Sequence, residues 1–150
     1  MKKLNKTAEL VKIIKFLSSF NCKIHGDVNI NKEDYTIDVD GYVDISGELL
    51  TKIPIQFGKV TEYFDCSKNN LTSLKGCPRW VGKSVNCNNN NLTSLKGCPK
   101  YVGGYFNCRH NPIKNIDCTP QNDGCYFWSD LFTGYIVVFK KWRQNYGFSN

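Results

Sequence analysis

Apolar side chains return every 21 residues through the middle of the chain. The offset stacks Val60, Val81 and Val102; Phe64, Val85 and Phe106; Leu71, Leu92 and Ile113; and Leu74, Leu95 and Ile116. Cys66, Cys87 and Cys108 fall in one column, Asn69, Asn90 and Asn111 in another, and the wording LTSLKGCP occurs at Leu71 and again at Leu92. Cys77 and Cys98 stack as well, as do Pro78, Pro99 and Pro120. An earlier, degenerate turn sets Val39 to Ser46 against Val60 to Ser67 and is followed by Leu49, Leu50 and Ile53. A unit this short has no core of its own and gains one only by stacking on its neighbours, which predicts a solenoid. Within each unit Phe64-x-Cys66, Val85-x-Cys87 or Phe106-x-Cys108 alternates as a short strand with every second side chain inward. The asparagines follow where the chain leaves the strand, where a buried amide satisfies backbone groups that the bend unpairs.

The ends read as caps. Leu10, Val11, Ile13, Ile14, Leu17 and Phe20 recur at helical spacing, predicting an amphipathic helix over 7–20 with a basic solvent side. Residues 26–45 alternate in short pieces (Val28-x-Ile30, Ile37-x-Val39, Val43-x-Ile45), as a hairpin or irregular strands would. Cys125 to Trp128 and Leu131 to Tyr146 are too aromatic for a tail, and Asp130 is placed to cap a helix carrying Phe132, Ile136, Phe139 and Trp142. The expectation is one α+β domain: a helix-and-strand cap over 1–38, parallel β coils of 21 residues over 39–117, and an aromatic cap over 118–150.

The coil pattern resembles the leucine-rich repeat. Its leucine-x-leucine-x-x-asparagine-x-leucine is matched by Phe64-x-Cys66-x-x-Asn69-x-Leu71, Val85-x-Cys87-x-x-Asn90-x-Leu92 and Phe106-x-Cys108-x-x-Asn111-x-Ile113, with cysteine at the second leucine. More narrowly, CSKNNLTSLKGCPRWVG and CNNNNLTSLKGCPKYVGG are similar to short repeat proteins encoded by bacteriophages. The resemblance covers 39–117, extends to the upstream helix and the stretch 52–58, and identifies an architecture rather than an activity. It implies a protein-binding function, usually on the concave strand face, with a host bacterial protein as the partner.

The chain has 150 residues, enough for one domain with a core. No apolar run approaches a membrane span, and Glu9, Lys12 and Lys15 interrupt what would be the apolar part of a signal peptide, so a cytoplasmic protein is expected. That context disfavours disulfides for the eight cysteines. Cys66, Cys87 and Cys108 read as buried free thiols, whereas Cys22, Cys118 and Cys125 escape the columns and are the places for a reactive thiol, Cys118 also fitting a corner position displaced by one. His25 and His110 are far apart and no CxxC exists, so no metal or cofactor is expected. Ser73 and Ser94 are explained by repetition, and no phosphate loop, HExxH or calcium loop occurs; the chain is expected not to be an enzyme.

Charge divides the chain further. Residues 1–20 carry net +4, 21–58 net −4, 59–117 net +6 and the remainder net +1. Such a basic array beside an acidic collar suits an oppositely patterned protein or, alternatively, nucleic acid lying along the coils. The predicted protein-binding face consists of the side chains between the inward positions: Tyr42 and Asp44, Tyr63 and Asp65, Asn86 and Asn88, and Tyr105, Asn107 and Arg109, with Ser46, Ser67 and Ser84 among them. Tyrosine and arginine give large contact area at modest ordering cost. Trp80 and Tyr101, at one offset after the proline corners, form a second candidate surface.

Overall fold

The computed structural model describes residues 6–19, 23–122, 124–132 and 135–138. It is an N-terminal helix, a parallel β-solenoid with a repeat of 21 residues, and a C-terminal aromatic cluster. Helix α1 (Lys6–Ser19) precedes an antiparallel hairpin of β1 (Lys23–Ile30) and β2 (Ile37–Asp44). Strand β2 is long enough to start two sheet arms. Its first half pairs in parallel with β3 (Phe57–Val60), and that arm continues to β5 (Trp80–Val81) and β7 (Tyr101–Val102). Its second half pairs with β4 (Phe64–Asp65), continuing to β6 (Val85–Asn86), β8 (Tyr105–Asn107) and β9 (Cys125–Trp128).

Between the arms each coil bends sharply, and two glycines there are required by space. A Cβ on Gly82 would lie 2.1 Å from the Thr61 carbonyl oxygen, and one on Gly103 would lie 2.0 Å from that of Gly82. The inward columns then close without gaps: Val43, Phe64, Val85, Phe106 and Phe127 are buried, as are Val39, Val60, Val81 and Val102. Each large apolar side chain so buried contributes roughly 1.5–3 kcal/mol.

The asparagine column satisfies the backbone as expected. Asn90 Oδ1 accepts the Leu71 N–H at 2.9 Å while Nδ2 donates to the carbonyls of Cys66, Cys87 and Asn88. Asn69 and Asn111 repeat the pattern one coil to either side. One residue before each asparagine the chain is left-handed, at Lys68, Asn89 and His110 (φ 54°, 51° and 56°), and Gly47 holds the same place in the first coil.

The caps depart from expectation in two ways. The helix forms, but only Ile13 and Phe16 bury fully and Leu17 partly, with Phe16 edge-on to Phe57 at 6.4 Å. Leu10, Val11 and Ile14, expected inward, are exposed, because a single helix laid on the solenoid offers it one narrow stripe; Phe20 lies outside the described residues. The helix expected after Asp130 does not form. Ile136 lies in β10 (Tyr135–Val138), paired antiparallel with β9, and Phe132 lies in the connection; Phe139 and Trp142 lie outside the described residues. The run Tyr135-Ile-Val-Val is rich in strand formers and meets the unpaired edge of β9, which outweighs the helical spacing. On the other arm the Asn122 amide closes the edge, accepting from the Val102 N–H and donating to its carbonyl, both at 2.9 Å.

Candidate functional site

The parallel register from β2 to β9 aligns three outward rows across the coils. The pairings of Val43 with Phe64, Val85 with Phe106 and Tyr105 with Tyr126 set Tyr42, Tyr63, Ser84, Tyr105 and Tyr126 in the first. Asp44, Asp65, Asn86, Asn107 and Trp128 form the second. Ser46, Ser67, Asn88, Arg109 and Asp130 follow at the same offset as the third, in which Ser67, expected on the outward face, is buried.

The first row carries the exposed aromatic area. Tyr63 and Tyr105 are 48% and 46% exposed, with Ser84 between them receiving the Tyr105 N–H on its hydroxyl at 3.0 Å. Lys83 Nζ sits 5.0 Å from the Tyr63 ring centroid and pairs with Glu62 at 2.9 Å; the hydrogen bond to Glu62 raises the lysine above its ordinary range. Tyr42 is half-buried and engaged, its ring stacked on His25 at 4.4 Å. Tyr105 lies 5.3 Å from both Tyr126 and Trp128.

Side chains of the second row mainly turn the chain. The Oδ1 atoms of Asp44, Asp65, Asn86 and Asn107 accept the N–H two residues on, at Ser46, Ser67, Asn88 and Arg109. Asp65 also receives Asn86 Nδ2 at 3.1 Å. In the third row Arg109 Nε meets Asp130 at 3.1 Å, and the His110 N–H also donates to that carboxylate. Burial pushes the Asp130 carboxyl up, but the His110 N–H and the Arg109 guanidinium outweigh it and hold the group below its usual range. Asn88 Oδ1 is buried without a hydrogen-bond partner.

Tyr126, Trp128 and Asp130 complete the face and were not among its expected members. The signal was present: they lie 21 residues after Tyr105, Asn107 and Arg109. The second candidate surface sits on the other arm. Trp80 and Tyr101 stack nearly parallel (5.0 Å, 8°), and Lys59 Nζ lies 4.8 Å from the Trp80 ring.

The described thiols are all free and most are buried. A hydrogen bond with Cys66, then burial, pushes Cys77 up, and burial raises Cys87. Burial also takes Cys108 and Cys125 to about 12, so the thiolate of Cys125, expected as a place for a reactive thiol, is disfavoured and covered. Cys98 and Cys118 are hydrogen-bonded to each other; that bond raises Cys98 and lowers the half-buried Cys118. Cys22 lies outside the described residues. Ser73 and Ser94 accept the N–H groups of Lys75 and Lys96 at 3.1 Å, a turn-forming role. Among the described residues no group of three or more His, Cys, Asp or Glu side chains is placed to hold a metal ion, and no helix is long and apolar enough to cross a membrane.

No protein-family model matches this chain, and neither a curated protein nor a solved structure does.

Proposed function

We propose that this chain is a non-catalytic protein-binding module whose contact surface is the outward face of β4, β6, β8 and β9, centred on Tyr63 and Tyr105 and extended by Tyr126 and Trp128. The observation that carries this reading is the exposed tyrosine row held in fixed register on stacked coils. Inter-coil backbone bonds such as Phe64 N–H to Ser84 O (3.0 Å) and Tyr126 N–H to Gly104 O (3.0 Å) order the row before any partner arrives. Pre-ordered tyrosines lose little entropy on contact, so more of their burial appears as affinity. Asp44, Asp65, Asn86 and Asn107 serve mainly to shape the strand ends, and Arg109 with Asp130 forms a charged rim.

The resemblance of the repeat wording to phage-encoded short repeat proteins supports a finer reading. In it the partner is a host bacterial protein of defence or nucleic-acid processing, inhibited or redirected in the host cytoplasm.

Immobilised protein exposed to nuclease-treated bacterial lysate in moderate salt tests the reading, with the triple variant Tyr63→Ser, Tyr105→Ser, Tyr126→Ser in parallel. A stoichiometric protein retained by the wild type and lost by the folded variant is the expected result. Equal capture by both would overturn the assignment of this face.

A further inference from the structure

The two proline corners build a second, chemically different feature. Each reads basic-Gly-Cys-Pro-basic: Lys75-Gly-Cys-Pro-Arg79 and, one coil on, Lys96-Gly-Cys-Pro-Lys100. Tight turns close both, with the Cys77 N–H on the Leu74 carbonyl at 3.0 Å and the Cys98 N–H on the Leu95 carbonyl at 2.9 Å. The turns pass through left-handed Gly76 and Gly97 (φ 102° and 90°). A Cβ on Gly76 would lie 2.7 Å from the Ile55 carbonyl oxygen, so both the conformation and the space require glycine there.

A trough of about 440 Å³ lies over these corners. Four cationic side chains line it, Lys75, Arg79, Lys96 and Lys100, with Gln56 and Ser73 as polar neighbours and no carboxylate in the lining. All four cations are exposed, and none forms an ion pair within 4.0 Å among the described residues, although the Arg79 charge acts on the Asp34 carboxyl, which lies outside the trough. The backbone under them is fixed: the Arg79 N–H bonds to the Gly58 carbonyl at 2.8 Å, and the Lys100 N–H to that of Arg79 at 2.9 Å. Equivalent residues on neighbouring coils are about 4.8 Å apart, so the trough is edged by paired cations repeating at the spacing of the coils. Four like charges converging on one concavity repel one another unless an anion lies between them, and one anion with charges repeated along its length meets all four.

We infer that this trough binds a chain of linked phosphates, with Lys75, Arg79, Lys96 and Lys100 each meeting phosphate oxygens. It shares no residue with the tyrosine face, so either assignment can fail without the other. A single-stranded nucleic acid backbone and a free oligophosphate present the same chemistry, and the test separates them.

Two probes are titrated into the full-length protein: a fluorescein-labelled single-stranded DNA 15-mer read by anisotropy, and inorganic tripolyphosphate read by calorimetry. The variant Lys75→Gln, Arg79→Gln, Lys96→Gln, Lys100→Gln is set beside a control of equal charge, Lys15→Gln, Lys32→Gln, Lys68→Gln, Lys114→Gln; circular dichroism checks the fold of both. Four phosphate contacts to a single strand give a slope of log affinity on log salt of about −2.8, or a fall of about 50-fold between 50 and 200 mM salt. The expected result is that the wild type and control show binding while the trough variant loses it. Binding of the 15-mer alone identifies nucleic acid as the source, of tripolyphosphate alone a free oligophosphate, and of both the shared chemistry. The inference is overturned by absence of binding to either probe at 50 mM salt, or by equal losses in the trough and control variants.

Discussion

The two arms of the sheet carry aromatic rows on one repeat geometry and use them differently. On the arm from β3 to β7, Trp80 and Tyr101 fall on adjacent coils, stack on one another, and receive Lys59 on the Trp80 ring. On the arm from β4 to β9, Ser84 separates Tyr63 from Tyr105, and the two rings stay about half exposed. Tyr105 also lies against Tyr126 and Trp128 of the next coil, so what sets this arm apart is the Ser84 gap, which leaves area beside Tyr63 and Tyr105 for a partner. Interruption of an exposed aromatic column is therefore evidence of binding in addition to its exposure.

The most damaging change to this comparison is one that removes the scaffold common to both arms. Asn90→Ala leaves the buried Leu71 N–H without its acceptor, while the Cys66 and Cys87 carbonyls keep the amides of Asn69 and Asn111, and at roughly 1–3 kcal/mol for a buried group left unsatisfied the expected loss is about 3 kcal/mol in urea unfolding. Next in size is Tyr105→Ser, expected to weaken capture of the partner by about 2 kcal/mol, near 30-fold by calorimetry, and to cost about 1 kcal/mol of stability through its lost contacts with Tyr126 and Trp128. Ser84→Tyr tests the contrast by filling the interruption, making the arm from β4 to β9 resemble the arm from β3 to β7. Its expected effect is about a tenfold loss of partner affinity, roughly 1.4 kcal/mol, in a folded protein. Tyr101→Ala removes the stack on the other arm and is expected to cost about 1 kcal/mol of stability while leaving partner affinity unchanged.

The smallest effect is at the rim. Because the Asp130 carboxyl is held below its usual range in the fold, its contribution to stability is fully present above the unfolded value near pH 4 and is lost as pH falls through the lower folded value. The Arg109 pair is exposed, so this amounts to less than about 1 kcal/mol. Asp130→Asn should flatten the acid side of the stability curve by that amount, measured by urea unfolding between pH 5 and pH 2.5.

The periodic part of the fold was legible because stacking repeats each demand at the same interval. Phe64, Val85 and Phe106 must fill one column, and Asn69, Asn90 and Asn111 must satisfy one bend, so residue type follows position. The ends obey no such repetition. Helical spacing marked Leu10, Val11 and Ile14 as apolar but could not show that the solenoid has room for only the Ile13 and Phe16 stripe. Phe132 and Ile136 also fit a helix, and only the open edge of β9 decides for a strand. Within the site the rows were legible, since alternation separates inward from outward side chains. The turn-forming use of Asp44, Asp65, Asn86 and Asn107 was not, because a carboxylate or amide suits a binding face and a bend equally well.

The division between the two arms is tested most directly by hydroxyl-radical footprinting of the complex with the captured protein, read residue by residue by mass spectrometry. Protection of Tyr63 and Tyr105 on complex formation, with Tyr101 keeping the reactivity it has in the free protein, is the expected pattern. Protection of Tyr101 and Trp80 while Tyr63 and Tyr105 remain as reactive as before would contradict the assignment of the binding face.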